Sequence, residues 1–162
     1  MVFLVDPRGD FPLNDDWAYA VPVASLVQHG TLEFSGWGAP NLFTQVLWGS
    51  AFAWAFGFSF TVLRFSTLLL APAAFLSAYE VAKESGVPER GARIAGLVLL
   101  ANPVFVALSN TFMSDVAFCA FGLSAVALLL RGTRLGSRGL VALGLALAAA
   151  ALLTRQLGLA IF

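Results

Sequence analysis

Asp15 and Asp16 stand side by side in "PLNDDWAYAVPV" (residues 12–23), next to Trp17 and Tyr19. A carboxylate so placed can accept the proton of a hydroxyl as that hydroxyl attacks. Three more ionisable residues, Arg64, Asp115 and Arg155, fall inside or at the edge of apolar stretches. An arginine can steady the charge that develops on a departing phosphate, best through paired contacts. Two acids and one or two arginines at a lipid–water boundary therefore suit transfer of a group from a lipid phosphate. Trp17, Tyr19 and Trp37 could stack on a sugar ring or line a lipid path.

The surrounding chain points to a bilayer. Of 162 residues, 59% are hydrophobic and 11% charged, with a mean hydropathy of +0.86. Soluble domains carry about 25% charged residues, so this composition lies outside their class. There are 15 Phe but a single Lys, Lys83. Net charge is zero and no basic block is present, which argues against a nucleic-acid partner. Cys119 is the lone cysteine; it lies in an apolar run, where it reads as a small packing residue. "MVFLV" is too short for a secretory leader and meets Asp6 and Pro7 at once.

The expected fold class is all-α, a polytopic transmembrane helix bundle. Spanning helices need about 20 mainly apolar residues. Segments 60–81, 92–108, 115–131 and 139–161 are expected to supply them. Residues 6–41 read as an extracytoplasmic loop, with His29 a polar loop residue. The run 42–58, "LFTQVLWGSAFAWAFGF", reads as a juxtamembrane or re-entrant helix, with a further span as the alternative. Residues 1–162 make one membrane domain. Both ends are expected to be cut: too few residues precede the loop to form a span, and the last span ends on "LAIF" without a polar flank. A start assigned downstream of the true one is the alternative, and the chain alone is expected to be inactive.

Lys83, Arg90, Arg93, Arg131, Arg134 and Arg138, six of the nine basic residues, occupy two short connections. The positive-inside rule puts both on the cytoplasmic side, and two spans between them require the same. The acidic 6–41 segment and "SNTFMSD" then face outward. Arg64, four residues into its helix, falls about 6 Å below the outer boundary, and Arg155, 16 residues past Gly139, about 24 Å up from the inner one. Asp115 opens its helix at the same level. The charges should thus converge on one outer pocket, and an ionisable residue at membrane depth is a functional-site hypothesis by default.

Each residue also has a plainer reading. Asp115 suits a helix cap, Arg64 can snorkel to headgroups, and Arg155 can pair structurally with Asp115. Asp15 and Asp16 can simply open a helix, with Asn14 or Asp15 as its cap. The Gly and Ala residues at 139–151 suit close helix packing.

On these motifs the chain resembles the GT-C glycosyltransferases. The relevant branch comprises the protein O-mannosyltransferases, the lipid A aminoarabinose transferase and the RgtA/B/C/D-like bacterial enzymes. "DDWAY" resembles their DE-x-x-Y motif. "LFTQVLWGSAFAWAFGFSFTVLRFSTLLL" resembles the juxtamembrane helix and the Arg that opens the next span. "ANPVFVALSNTFMSDVAF" resembles the span leading to a second-loop acid, and "LLTRQLGL" the basic element ending a later span. The resemblance covers nearly the whole chain, but only the N-terminal part of such an enzyme.

It implies Asp15 as general base, Asp16 as its support, and Asp115 as the acid shaping the donor and acceptor site. Arg155 would face the donor phosphate, with Arg64, Tyr19, Trp17 and Gln156 as further binding residues. The implied reaction is an inverting displacement from a polyprenyl-phosphate sugar donor onto a lipid, glycan or protein hydroxyl. It implies no cofactor and no metal site, and a multi-pass protein of a bacterial plasma membrane, contacting membrane lipids, with its site facing outward. Relatives carry a Lys where this chain has Ala39, so phosphate contact would rest elsewhere. The rival expectations are a transporter or flippase piece, for which Asn102-Pro103 could be a helix break, and a structural membrane subunit.

Overall fold

The computed structural model describes residues 8–34, 36–37 and 42–162. Ala39, like Asp6, falls outside the described residues. The described residues form helices and connections, with no strand among them. In chain order the helices are α1 (Asp16–His29), α2 (Phe43–Phe56), α3 (Phe60–Glu84), α4 (Glu89–Ala101), α5 (Pro103–Ser109), α6 (Ser114–Leu135) and α7 (Arg138–Leu152). A 3-10 turn, Gln156–Ile161, follows. The fold is all-α.

Local chemistry explains the boundaries. Ser59 starts α3 by accepting the Val62 N–H at 3.2 Å, and Ser137 does the same for α7 through Leu140. Gly136, at φ 63, closes α6 in a left-handed conformation that residues with a Cβ avoid. Pro103 divides the 92–108 segment. A residue before proline is pushed to extended backbone, and Asn102 sits at φ −66, ψ 119. Its side chain then caps α5 by accepting the Val104 and Phe105 N–H groups.

Among the described residues two helices, α3 and α6, are long and apolar enough to cross a membrane. The pair α4–α5, bent by 61°, qualifies as a third if counted as one span. α7, at 15 residues, is about 22 Å long against a hydrocarbon core of about 30 Å. The apolar run beyond it turns back: a Cβ on Gly158 would collide with the Leu152 backbone, so the 3-10 turn packs on the end of α7.

α3 packs between α4 and α6, and α6 between α3 and α7. Ala71 and Ala74 of α3 face Ala117 and Ala120 of α6 in one core cluster, small residues that let two helices approach. Ser77 and Ser124 hydrogen-bond across the same seam at 2.7 Å. Leu69, Leu76, Leu97 and Val98 stay exposed, as lipid-facing residues do. α1 and α2 lie over the beginning of α3, where Ala18, Tyr19, Val23, Leu42, Val46, Leu63 and Phe112 make a second core.

Gly49 of α2 sits directly on that core. A Cβ there would stand 2.5 Å from Phe112 Cζ and 3.2 Å from Leu63 Cδ2. Phe112 is fully buried and has little room to yield. Gly49→Ala should therefore destabilise the fold by about 1–3 kcal/mol, the usual range for overpacking. Thermal unfolding in detergent checks this; an unchanged or raised midpoint would show that the ring has somewhere to go.

Candidate functional site

The residues singled out in the sequence lie at the end of the bundle where α3 and α6 begin and α7 finishes. They meet as two acid–arginine pairs. The first joins α1 to α3. Asp16, the first residue of α1, is 0% exposed, and its Oδ1 accepts the Leu13 N–H at 2.7 Å. Its Oδ2 lies 3.8 Å from Arg64 Nε. The Phe112 backbone N–H also faces this carboxylate.

Arg64, 1% exposed, is held mainly through its two Nη atoms. Nη1 donates to the Gly9 carbonyl at 2.9 Å and Nη2 to the Phe11 carbonyl, while the guanidinium lies 5.3 Å from the Phe11 ring centroid. The same stretch is fastened again to the start of α3. Gly9 N–H donates to Thr61 Oγ1 at 3.2 Å, and the Phe60 N–H to Asp10 Oδ1 at 2.8 Å. Arg64 thus anchors the polar segment to the helix; it does not reach toward headgroups or into an open pocket.

The second pair joins α6 to the end of α7. Arg155 Nη1 donates to Asp115 Oδ1 at 2.5 Å, and both side chains are 31% exposed. Arg155 sits on extended backbone at φ −150, ψ 143, between α7 and the 3-10 turn. A half-exposed pair keeps some of its donors and acceptors open to water, as the buried one does not.

The α5–α6 turn lies between these pairs. Gln45 of α2, 1% exposed, donates from Nε2 to the Phe112 carbonyl at 2.8 Å, so the Phe112 peptide meets Asp16 on its N–H side and Gln45 on its carbonyl side. One residue earlier, the Thr44 N–H donates to the Leu153 carbonyl at 3.3 Å, two residues before Arg155. The start of α2 therefore touches the turn that precedes α6 and Asp115 and the connection that carries Arg155. Gln45 was not among the sequence candidates. Its signal was available: it is the one carboxamide in the apolar run 42–58.

The remaining candidates separate by exposure. Asp15 is exposed, with its side chain making no capping bond to α1. Trp17 is partly exposed, Trp37 is open to solvent and Gln156 is exposed on the 3-10 turn. Tyr19 is buried among the apolar residues of the α1–α2 core.

Three cavities accompany this arrangement. A groove of about 520 Å³ lies between α3 and α4, lined by Phe65, Leu68, Leu69, Ala71, Pro72, Phe75 and Leu100. The other two lie toward the ends of α3 and α6 that carry Glu80 and Arg131. None of the three is lined by Asp15, Asp16, Asp115 or Arg155. Among the described residues the charges meet as two pairs, one on each side of the Phe112 turn. No group of three or more His, Cys, Asp or Glu suited to a metal ion occurs among the described residues.

The fold and site define an all-helical chain with membrane-length helices and two acid–arginine pairs at one end. The chain matches no protein-family model, no curated protein and no solved structure.

Burial raises the Asp16 carboxyl above its ordinary 3.8, against the opposing pull of the Leu13 N–H and Arg64. The folded chain therefore takes up this proton at a higher pH than the unfolded chain does. The resulting stability is fully present below 3.8 and is lost as pH rises through the folded value. Wild type should gain stability relative to Asp16→Asn as pH falls from 7 toward about 4. Paired unfolding curves in detergent check the sign; a wild type that loses ground on acidification contradicts it.

Arg64→Met leaves the Asp16 carboxylate buried without its cation. The cost should be about 3–5 kcal/mol, and adding Asp16→Asn should cost less than the sum of the two single changes. Strict additivity in that double-mutant cycle would show that the two groups do not interact.

Proposed function

We propose that this chain belongs to a polytopic membrane glycosyltransferase of GT-C type. It transfers a sugar from a polyprenyl-phosphate donor to an acceptor hydroxyl at the outer face of a bacterial plasma membrane. The observation that carries the reading is the contrast between two adjacent acids, Asp15 exposed and Asp16 buried against Arg64, in a motif that resembles the catalytic acids of those enzymes. The half-exposed Asp115–Arg155 pair at the same end supports it. The concentration of Lys and Arg in the connections at the opposite end supports an outward-facing site.

In this mechanism Asp15 accepts the proton of the acceptor hydroxyl. The freed oxygen attacks the anomeric carbon from the face opposite the phosphate. As that C–O bond forms, the bond from the anomeric carbon to the phosphate oxygen breaks, and its electron pair leaves with the polyprenyl phosphate. Arg155, which can share its guanidinium between Asp115 and an incoming phosphate, holds the departing charge. Asp16 and Arg64 act as positioning residues that fix the segment carrying Asp15. The lipid tail of the donor stays in the bilayer, so the reaction must run at the membrane surface. The acceptor is a lipid, glycan or protein hydroxyl.

One observation favours a second reading. The 61° bend at Asn102 is the kind of helix break from which transporters build substrate sites. A piece of a transporter or flippase would move a lipid-linked sugar without forming a glycosidic bond.

Asp15→Asn in the full-length protein separates the two. Transfer from a radiolabelled polyprenyl-phosphate sugar should fall by a factor of about 10²–10⁴, the usual contribution of a general base, while insertion into the membrane is unchanged. Full activity in the variant removes Asp15 as the base. Movement of the donor across the membrane with no covalent sugar product supports the transporter reading instead.

A further inference from the structure

At the opposite end of the bundle, the last turns of α3 and α6 enclose an open pocket of about 610 Å³ lined by Glu80, Lys83, Glu84, Gly86, Arg131 and Arg134. Its three cations are not equally committed. Arg134 grips Glu84 through two contacts, Nε to Oε2 at 2.7 Å and Nη2 to Oε1 at 2.8 Å. Arg131 reaches Glu80 only at 3.9 Å, beyond hydrogen-bond range, and makes no hydrogen bond among the described residues. Lys83 stands 3.9 Å from Glu89 and lies over the Tyr79 ring at 5.0 Å. The pocket thus has one more cation than carboxylate in its wall, and a guanidinium with its donors in hand.

Directly beside it runs a crevice of about 300 Å³ between α3, α6 and α7, lined by Leu76, Ser77, Ser124, Ala127, Leu128 and Leu147 and sharing Glu80 with the pocket. The two serines satisfy one another, so the surface the crevice offers is apolar. α3 and α6 are both of membrane-crossing length. The crevice therefore opens along hydrocarbon, and the pocket at the helix ends opens among headgroups.

We propose that pocket and crevice together bind one anionic phospholipid, its phosphate on Arg131 and Lys83 and an acyl chain along the crevice. A guanidinium offers two parallel N–H groups to two phosphate oxygens, a geometry that the long contact to Glu80 leaves open. Glu80 competes with the lipid for Arg131. A zwitterionic headgroup brings a positive charge toward the same cations and is disfavoured. This site is independent of the sugar-transfer reading and lies at the other end of the helices.

The test is calorimetric titration of the purified chain in zwitterionic detergent with dioctanoyl phosphatidylglycerol, dioctanoyl phosphatidylcholine and inorganic phosphate. Phosphatidylglycerol should bind saturably and tightest of the three. Arg131→Gln and Lys83→Gln should each weaken it about fivefold, the effect of one basic residue at a headgroup. Glu80→Gln should tighten it by releasing Arg131, and it keeps the test alive if Arg131→Gln loses helicity by circular dichroism. Arg90→Gln, outside the pocket, should change nothing. Equal affinity for phosphatidylcholine or for inorganic phosphate overturns the proposal, as does unaltered affinity in a folded Arg131→Gln or a weakened one in Glu80→Gln.

Discussion

The rest of the structure depends on the burial of one guanidinium. Arg64 stands within the first turns of a membrane-length helix, yet it is enclosed by protein. An uncompensated buried charge costs several kcal/mol, so the chain must supply partners or reject the position. It supplies two backbone carbonyls, a carboxylate and an aromatic face, all from residues 9–16. That demand converts a polar, proline-bearing stretch with little apolar surface of its own into an attached cap on α3. It also determines which of two identical side chains is free. Neighbours in a helix point about 100° apart; with Asp16 turned inward onto Arg64, Asp15 is left facing out. The asymmetry between the acids arises from this packing, because nothing in their chemistry distinguishes them.

A second constraint fixes where that cap meets the other helices. α3 and α6 run in the same direction and are tied at successive levels by Ser77–Ser124, Glu80–Arg131 and Glu84–Arg134. With the close Ala71, Ala74, Ala117 and Ala120 seam and the Ser77–Ser124 bond restraining sliding, the depth of Arg64 on one helix and Asp115 on the other is set jointly. The turn between α5 and α6 is then held by Gln45 through the Phe112 carbonyl. Because Phe112 precedes Asp115 by three residues, a shift of α2 would be felt at the Asp115–Arg155 pair. The buried pair and the half-exposed pair are thus mechanically linked, although they share no residue.

Much of this was legible in the sequence and some was not, for identifiable reasons. Apolar runs long enough to be helices announce themselves by composition, and α3 and α6 follow the expected segments closely. Depth along a helix is a matter of counting, which is why Arg64, Asp115 and Arg155 could be assigned to one level. The Arg155–Asp115 pair was among the readings the sequence offered, but the partners of Arg64 depend on the path of the N-terminal segment, which composition does not encode. The identity of the buried acid, and the commitment of Arg64 to the Gly9 and Phe11 carbonyls, were therefore out of reach. The end of α7 at Leu152 was hidden for a related reason. "LTRQLGLAIF" stays apolar enough to extend a helix, whereas in the fold Gly158 packs back against Leu152, a tertiary contact that composition does not encode. Gln45 was a readable signal that a survey of charges passes over, since a carboxamide in hydrocarbon needs a partner as surely as a carboxylate does.

The two ends of the molecule handle charge by opposite means, and the difference bears on what each can do. At the Glu80 end, Arg134 holds the buried Glu84 side chain, while the Lys83–Glu89 and Arg131–Glu80 pairs are open to water and stand 3.9 Å apart. The two open pairs contribute about 0–1 kcal/mol each and are easily exchanged for another anion. At the Arg64 end, one pair is sealed and cannot exchange, and beside it the Asp115–Arg155 pair is 31% exposed on both side chains. A reaction centre needs both properties at close quarters: a rigid frame that holds the reactive group in place, and a cation whose partner can be shared with a passing phosphate. In the sugar-transfer reading proposed above, the sealed pair supplies the first and the partly covered pair the second. Asp15, exposed next to the sealed Asp16, has the mobility of a surface side chain on a segment that the buried pair pins to α3.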